Sequence, residues 1–465
     1  HRFLVAFQRL KVTCLTTASD APHIEPPGSL MSVLNFVNHA SFLLESEKIG
    51  LIIDPWLDGT AFNSGWELIS KTAFKPSDYS RVTHLWFSHE HPDHFHPPTL
   101  KNIPETLRSG ITVLYQKTKD GKVIDHCRTM GFAVQEMEHG EWIQLAPNFR
   151  IMCRPYTYFD SWLLVELDGK RMLNLNDCEV NTAKEAGGIF AHTGPVDILA
   201  SQFSYSCWEG DAKARAAAAD HILNRLCTQL QVFQAKQFMP IASLIYFSHE
   251  ENKQLNDCIN SITKTAKFIE SKGSVSTVVL YPGDEWNFGA PHDNTESMAR
   301  YDADYKTIPK ILHTSRSIPI AEVQELAAKY NQRIKERNSW LFIGILKMIG
   351  FLPPVNFYIT DCGQVFQYDA INGLKAVDVS KENADMALSS DSLAFLFRFD
   401  WGLNTLHVNG RFRTDRKGMA KVMSTFAVGL LNNTGRYLGF PLLFDYRFAT
   451  AAFEKLLIHR KVDRA

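Results

Sequence analysis

The eight cysteines of this 465-residue chain are scattered without a single Cys-x-x-Cys pair. That argues against a disulfide framework or a zinc ribbon, and the thiols read as reduced, which predicts a cytoplasmic setting. No charge of one sign is in excess: 49 basic residues face 50 acidic ones. Such a balance removes any general pull toward nucleic acid or an anionic membrane. Long apolar runs are missing as well. The nearest, at 340–352, is interrupted by Lys347 and followed by Pro353-Pro354. Neither a membrane span nor a leader before the first domain is therefore expected. There is no glycine-rich phosphate loop, and Gly59, Gly65 and Gly283 read as turn residues.

What is present is enough chain for more than one core. Residues 1–30 read as an arm or linker, 31–295 as a metal-binding catalytic domain, and the charged stretch 294–310 as the boundary to a smaller C-terminal α/β domain at 296–465. Short β-rich runs at 32–37, 41–45, 49–53, 82–88, 111–115, 133–137, 149–153, 162–167 and 170–175 predict strands. The Ala-rich stretch 212–235 and the stretch 256–271 predict helices, followed by a last strand at 276–280. Strands with helices after them, twice over, predict an α+β sandwich of two sheets with helices outside. In the second domain, strands are expected near 357–360, 365–368, 374–379, 384–388 and 406–411, with helices at 320–337 and 390–397 and more toward the end.

One cluster dominates the chemistry. Ser88-His89-Glu90-His91-Pro92-Asp93-His94 follows an apolar strand and has the order H-x-H-x-D-H. Alternate residues of an extended segment share a face, so His89 and His91 can address one ion while Asp93 and His94 reach a second. Imidazole and carboxylate suit zinc, iron and manganese alike. A dinuclear site is best served by a carboxylate that touches both ions. Asp177, directly after the strand at 171–175, is the candidate, and His249 is the candidate for the last ligand. A further histidine is expected between the cluster and Asp177, but 154–160 contains none. Asp160 is the candidate in its place, with Tyr156, Glu136 and Glu138 as alternatives. Exchange of nitrogen for oxygen moves preference from zinc toward iron or manganese. His39, in the turn between the first two strands, and Trp56 and Trp66 are candidate substrate-binding residues; their ordinary roles would be a hydrogen-bonded structural histidine and two core tryptophans. Asp93, Asp177 and, on the loop 208–211, Glu209 are the candidate catalytic residues.

The run Asp54-Pro55-Trp56-Leu57-x-Gly59-x-Ala61-Phe62-x-x-Gly65-Trp66, the cluster Ser88 to His94 with Pro98-Thr99-Leu100, Leu173-Asn174-x-x-Asp177-Cys178, and Ala242 through Ser248-His249 carry a resemblance. Together they resemble the metallo-β-lactamase-like domain of the CMP-N-acetylneuraminate hydroxylase family, over residues 31–290. The resemblance implies a metallo-β-lactamase αββα sandwich, two metal ions and a small-molecule substrate such as a nucleotide sugar. It comes without that family's Rieske domain, since no Cys-x-His and Cys-x-x-His pair occurs in the chain. The same fold hosts diiron oxygenases such as the β-hydroxylase of chloramphenicol biosynthesis, in which a carboxylate stands for one histidine and an external donor supplies electrons. It also hosts hydrolases such as the ascorbate-phosphate lactonase and the N-acyl-phosphatidylethanolamine phospholipase. The stretch from Asn383-Ala384-Asp385 through Leu388-Ser389-Ser390 to Trp401-Gly402 and Val408-Asn409-Gly410-Arg411 is similar to the sterol-carrier-protein fold. That likeness implies a lipid-like ligand, and a purely structural or dimerising domain is the plain alternative.

Three readings stay open on the sequence. One is a diiron oxygenase or hydroxylase. Another is a metallohydrolase acting on an ester, lactone or phosphodiester through zinc, iron or manganese. The third is a metal-stabilised binding protein without turnover.

Overall fold

A computed structural model describes residues 32–439 apart from 158, 274 and 309–311. The arm expected at 1–30 and the helices expected beyond 440 lie outside the described residues.

Residues of alternating polarity build two seven-stranded sheets that face each other. The first runs Glu285–Asn287, Val33–Asn38, Ser41–Ser46, Ile49–Ile53, His84–Phe87, Thr112–Gln116, Ala133–Met137. The second runs Ser276–Thr277, Gln237–Ile241, Ile198–Gln202, Lys170–Asn176, Ser161–Leu167, Phe149–Pro155, Trp142–Ala146. Strand period two sorts the first sheet's side chains onto its faces. Leu34, Phe36, Phe42, Leu44, Leu51, Ile53, Trp86 and Leu114 enter the core between the sheets. Their neighbours Val37, Leu43, Ile52, Leu85, Phe87 and Val113 pack outward under helices such as Lys122–Thr129. Helices Ala183–Thr193, Ala212–Phe233 and Ile262–Glu270 contribute buried side chains to the inter-sheet cluster. Helix Ala212–Phe233 starts where the Asp211 carboxylate accepts from the Ala214 amide, supplying a partner for an otherwise orphaned donor.

Parallel pairings decide where the chemistry goes. Ile49–Ile53 pairs in parallel with His84–Phe87, and Lys170–Asn176 with Ile198–Gln202. Their C-terminal ends deliver Asp54, the His89–His94 cluster and Asp177 to one edge of the sandwich, as crevices at strand carboxyl ends do generally. Several non-glycine residues at these ends hold left-handed backbone, including His39 (φ 48°), Asp54 (φ 41°) and Asn176 (φ 48°). Such conformations cost free energy and persist where the surroundings enforce them.

A second core lies in the C-terminal part. The four-stranded sheet Gly373–Ala376, Gln364–Asp369, Val355–Ile359, Met386–Leu388 is packed with helices Ile320–Arg337, Ser390–Arg398, Gly402–Asn409 and Arg416–Thr425 around Phe357, Tyr368, Leu393 and Phe397. Tyr330, Tyr368, Phe397 and Phe426 form an aromatic cluster, and the gap beside Tyr330, Tyr368 and Phe426 measures about 10 Å³.

Two expectations are corrected. The strand expected at 406–411 is the helix Gly402–Asn409, closed by Gly410 at φ 61°. The charged boundary expected at 294–310 is largely the helix Thr295–Tyr305, whose Tyr301 is buried in the first core. Its charges are the wet face of a packed helix. Among the described residues no helix is long and apolar enough to cross a membrane.

Candidate metal centre

The turn Asn38–Ser41 and the strand ends bring seven side chains together. His89 Nε2 and His91 Nδ1 lie 2.9 Å apart. With Asp177 they form one group whose ligand atoms all fall within 4.8 Å of one another. His39, Asp93 and His94 form a second such group. Asp177 Oδ2 lies 4.0 Å from His89 Nε2 and 3.4 Å from His94 Nε2, so it touches both groups. Asp160 Oδ1 lies 3.9 Å from His89 Nε2.

The outward nitrogens are tied down. His94 Nδ1 sits 2.9 Å from Asp54 Oδ2, and Asp54 also accepts from the Ser88 amide and hydroxyl at 2.7 Å each. His89 Nδ1 lies 2.9 Å from the Ser88 hydroxyl. A carboxylate or hydroxyl on one imidazole nitrogen fixes the tautomer and leaves the other nitrogen for a cation. Those other atoms are buried without a hydrogen-bond partner: His94 Nε2, Asp93 Oδ1, Asp177 Oδ1 and His39 Nδ1. Orphaned buried polar atoms are rare unless something further satisfies them. Two histidine–carboxylate groups sharing an aspartate form a donor set that fits two divalent ions.

Electrostatics agree. Burial alone would lower His94, but Asp93, Asp177 and Asp54 together hold it well above its ordinary pKa. Burial, then His94 and His91, keep His89 well below. Burial, then Asp177, pushes Asp160 up to about 7. Anionic oxygens crowd here, which a cation would answer.

Other candidates fall elsewhere. His249 is carried away by the strand Ile245–Phe247, which pairs with Trp66–Leu68; its ring nitrogens lie 3.6 Å from Glu251 and 3.5 Å from Ser315. It is in neither of the two groups, whereas His39, a candidate substrate-binding residue on the sequence, is in the second. Glu209 is 3.3 Å from the Cys207 thiol, and burial raises its pKa; it too is outside both groups. Trp56 is fully buried, its ring 5.6 Å from His39 and 5.9 Å from His96. Trp66 packs 4.4 Å from Phe62. Trp56 thus packs against the candidate ligand His39, and Trp66 against the loop residue Phe62. Of the alternatives to Asp160, Tyr156 donates to the Glu179 carbonyl, and Glu138 pairs with Lys117 at the surface. Asp54, which opens the run that carries the resemblance, is not among the sequence's candidate site residues; the signal for it is an acidic side chain at a buried strand end.

Residues 33–199 match the family model of the beta-lactamase superfamily domain. A cytidine monophosphate-N-acetylneuraminic acid hydroxylase from Cricetulus griseus is 25% identical over 240 residues, 48% of this chain and 42% of that protein. The Sus scrofa protein of the same name is 31% identical over 150 residues, 30% of this chain and 33% of that one. The chain thus spans less than half the length of these two relatives. Among solved structures, the diiron beta-hydroxylase CmlA from Streptomyces venezuelae aligns with a TM-score of 0.42 at 17% identity, covering 57% of this chain and 55% of CmlA. A possible metal-dependent hydrolase from Veillonella parvula gives 0.43 at 14%, covering 56% and 100%. By the family match and by its two facing seven-stranded sheets, the unit that contains residues 33–199 has the metallo-β-lactamase fold.

Proposed function

We propose that this protein is a dinuclear-metal enzyme of the oxygenase type, a diiron hydroxylase. One observation carries the reading: the Asp160 carboxylate, in a stretch that has no histidine, lies 3.9 Å from His89 Nε2. His89, His91 and Asp160 would hold one ion, His39, Asp93 and His94 the other, and Asp177 would be shared. Oxygen-rich donor sets of this kind suit iron or manganese better than zinc. A bound pair of iron ions would supply redox chemistry toward dioxygen. The chain's own part is to orient the ligands, through Asp54 and Ser88, and to keep water from beneath His39 with Trp56. The relatives' names make an anionic nucleotide sugar the first substrate to test, with an external electron donor.

A metallohydrolase is the second reading, favoured by the unpartnered Asp93 Oδ1, which is placed to orient a water. A closed structural metal site fits less well, because the Asp160 and Asp177 side chains keep 22% and 17% of their surface open to solvent, whereas structural sites are closed. For the C-terminal unit, the aromatic core is filled among the described residues, which supports a structural role over a lipid carrier.

The test is elemental analysis of protein expressed without added metal, with optical spectra before and after reduction. Two irons per chain and a visible band that bleaches on reduction support the hydroxylase. Two zincs and a redox-silent spectrum would overturn it in favour of the hydrolase.

A further inference from the structure

The loop that covers His91 is held by the other half of the molecule. Phe62, Asn63 and Ser64 have φ of 50°, 55° and 56°, three consecutive non-glycine residues in left-handed backbone. A run of this kind is costly and needs outside support. Within the loop, the Gly65 amide bonds back to the Ala61 and Phe62 carbonyls. The rest comes from the far side of the chain. Asn409 Nδ2 donates to the Phe62 carbonyl at 3.0 Å, and Arg411 Nη1 donates to the Asn63 carbonyl at 2.6 Å. Asn252 Nδ2 joins the Gly65 carbonyl to the Asn409 carbonyl. The fit leaves no slack: a Cβ on Gly65 would stand 2.4 Å from Asn409 Cβ. Held so, the Phe62 ring lies edge-on to the His91 ring, centroids 5.7 Å apart.

Arg411 is 1% exposed, and two carboxylates, Glu251 and Asp391, fix its guanidinium. Glu251 in turn accepts from the hydroxyls of Ser315, Ser389 and Ser392. The same C-terminal stretch reaches the opposite side of the centre, where Trp401 meets Phe159, next to Asp160, at 5.2 Å.

We propose that Asn409 and Arg411 are positioning residues of the metal centre: by clamping Phe62 to Ser64 they fix the His91 ring, so the C-terminal unit is a working part of the site. This rests on the reading of His89, His91 and Asp177 as ligands. Arg411→Lys keeps the positive charge between Glu251 and Asp391, but a lysine lacks the planar fork that also reaches Asn63. Asn409→Ala removes the bond to Phe62 and keeps the Cβ contact. Ser392→Ala loosens the same seam without touching the loop.

The experiment titrates Co(II) into the metal-free 465-residue chain and the three variants, reading affinity and the visible spectrum of the bound ion. Arg411→Lys and Asn409→Ala should weaken one of two Co(II) sites by about tenfold and shift its spectrum, the scale seen for residues that orient metal ligands. Ser392→Ala, which removes only one of the hydroxyls on Glu251, should change both less than either clamp variant does. Wild-type affinity and spectrum in the two clamp variants would overturn the proposal, as would an equal change in all three. Failure of the wild-type protein to bind Co(II) would overturn the ligand assignment itself.

Discussion

At His94 the two ring nitrogens have different neighbours. Nδ1 faces Asp54, and Nε2 faces Asp93 and Asp177. An ionised carboxylate can only accept, so Nδ1 carries the proton in the metal-ready ring. Asp54→Ala frees the ring to turn and should weaken metal binding by about 10- to 100-fold, measured by competition with a chelator; unchanged affinity would show that Ser88 and packing suffice. His39 and His249 offer a sharper contrast. His39→Ala should leave one tightly bound ion per chain, whereas His249→Ala should keep both, by elemental analysis after dialysis. The reverse result would restore His249 as a ligand. The reason the sequence alone does not choose between these two histidines is physical. Four donors within six residues declare themselves by spacing alone, and Asp177 by its place after a strand. Which remote histidine completes the set depends on how separate strands pair, and both His39 and His249 lie beside apolar strand runs.

At the scale of elements, strands of the sandwich were readable because one face meets the inter-sheet core and the other a helical layer. The helix Gly402–Asn409 was not, because Leu406 and Val408 alternate as a strand would while Gly402 is pressed against the Leu396 carbonyl, where a Cβ would come to 2.2 Å. The strand Ile245–Phe247 has its own consequence, since it carries His249 into the seam. There His249 faces Glu251, Arg411, Asp391 and His313; burial first, then Arg411, push its pKa down from 6.5 to about 4. The unfolded chain takes up that proton at the higher value, so the folded state binds fewer protons between the two. This contribution to stability is full above pH 6.5 and falls away as pH drops toward 4. His249→Gln should flatten that slope in thermal midpoints taken from pH 7 downward; an unaltered slope would acquit the residue.

For the whole molecule, the two cores were foreseeable from length, and the first from its strands. Their seam was not, because it is made of single polar residues scattered over the chain: Asn63, Glu251, Ser315, Ser389 and Arg411. No periodicity marks such a set. The bond from Asn409 to Phe62 joins positions 347 residues apart. Contacts of that separation form late, and during synthesis they must wait for the distal residues to emerge. At about 5–20 residues per second, Arg411 leaves the ribosome roughly 10–50 s after Asp177. On the proposed assignment, all the ligand residues are therefore synthesised while the loop above them still lacks its clamp. Order of translation would then become order of assembly: an ion could enter an open cup before Asn409 and Arg411 arrive to close it.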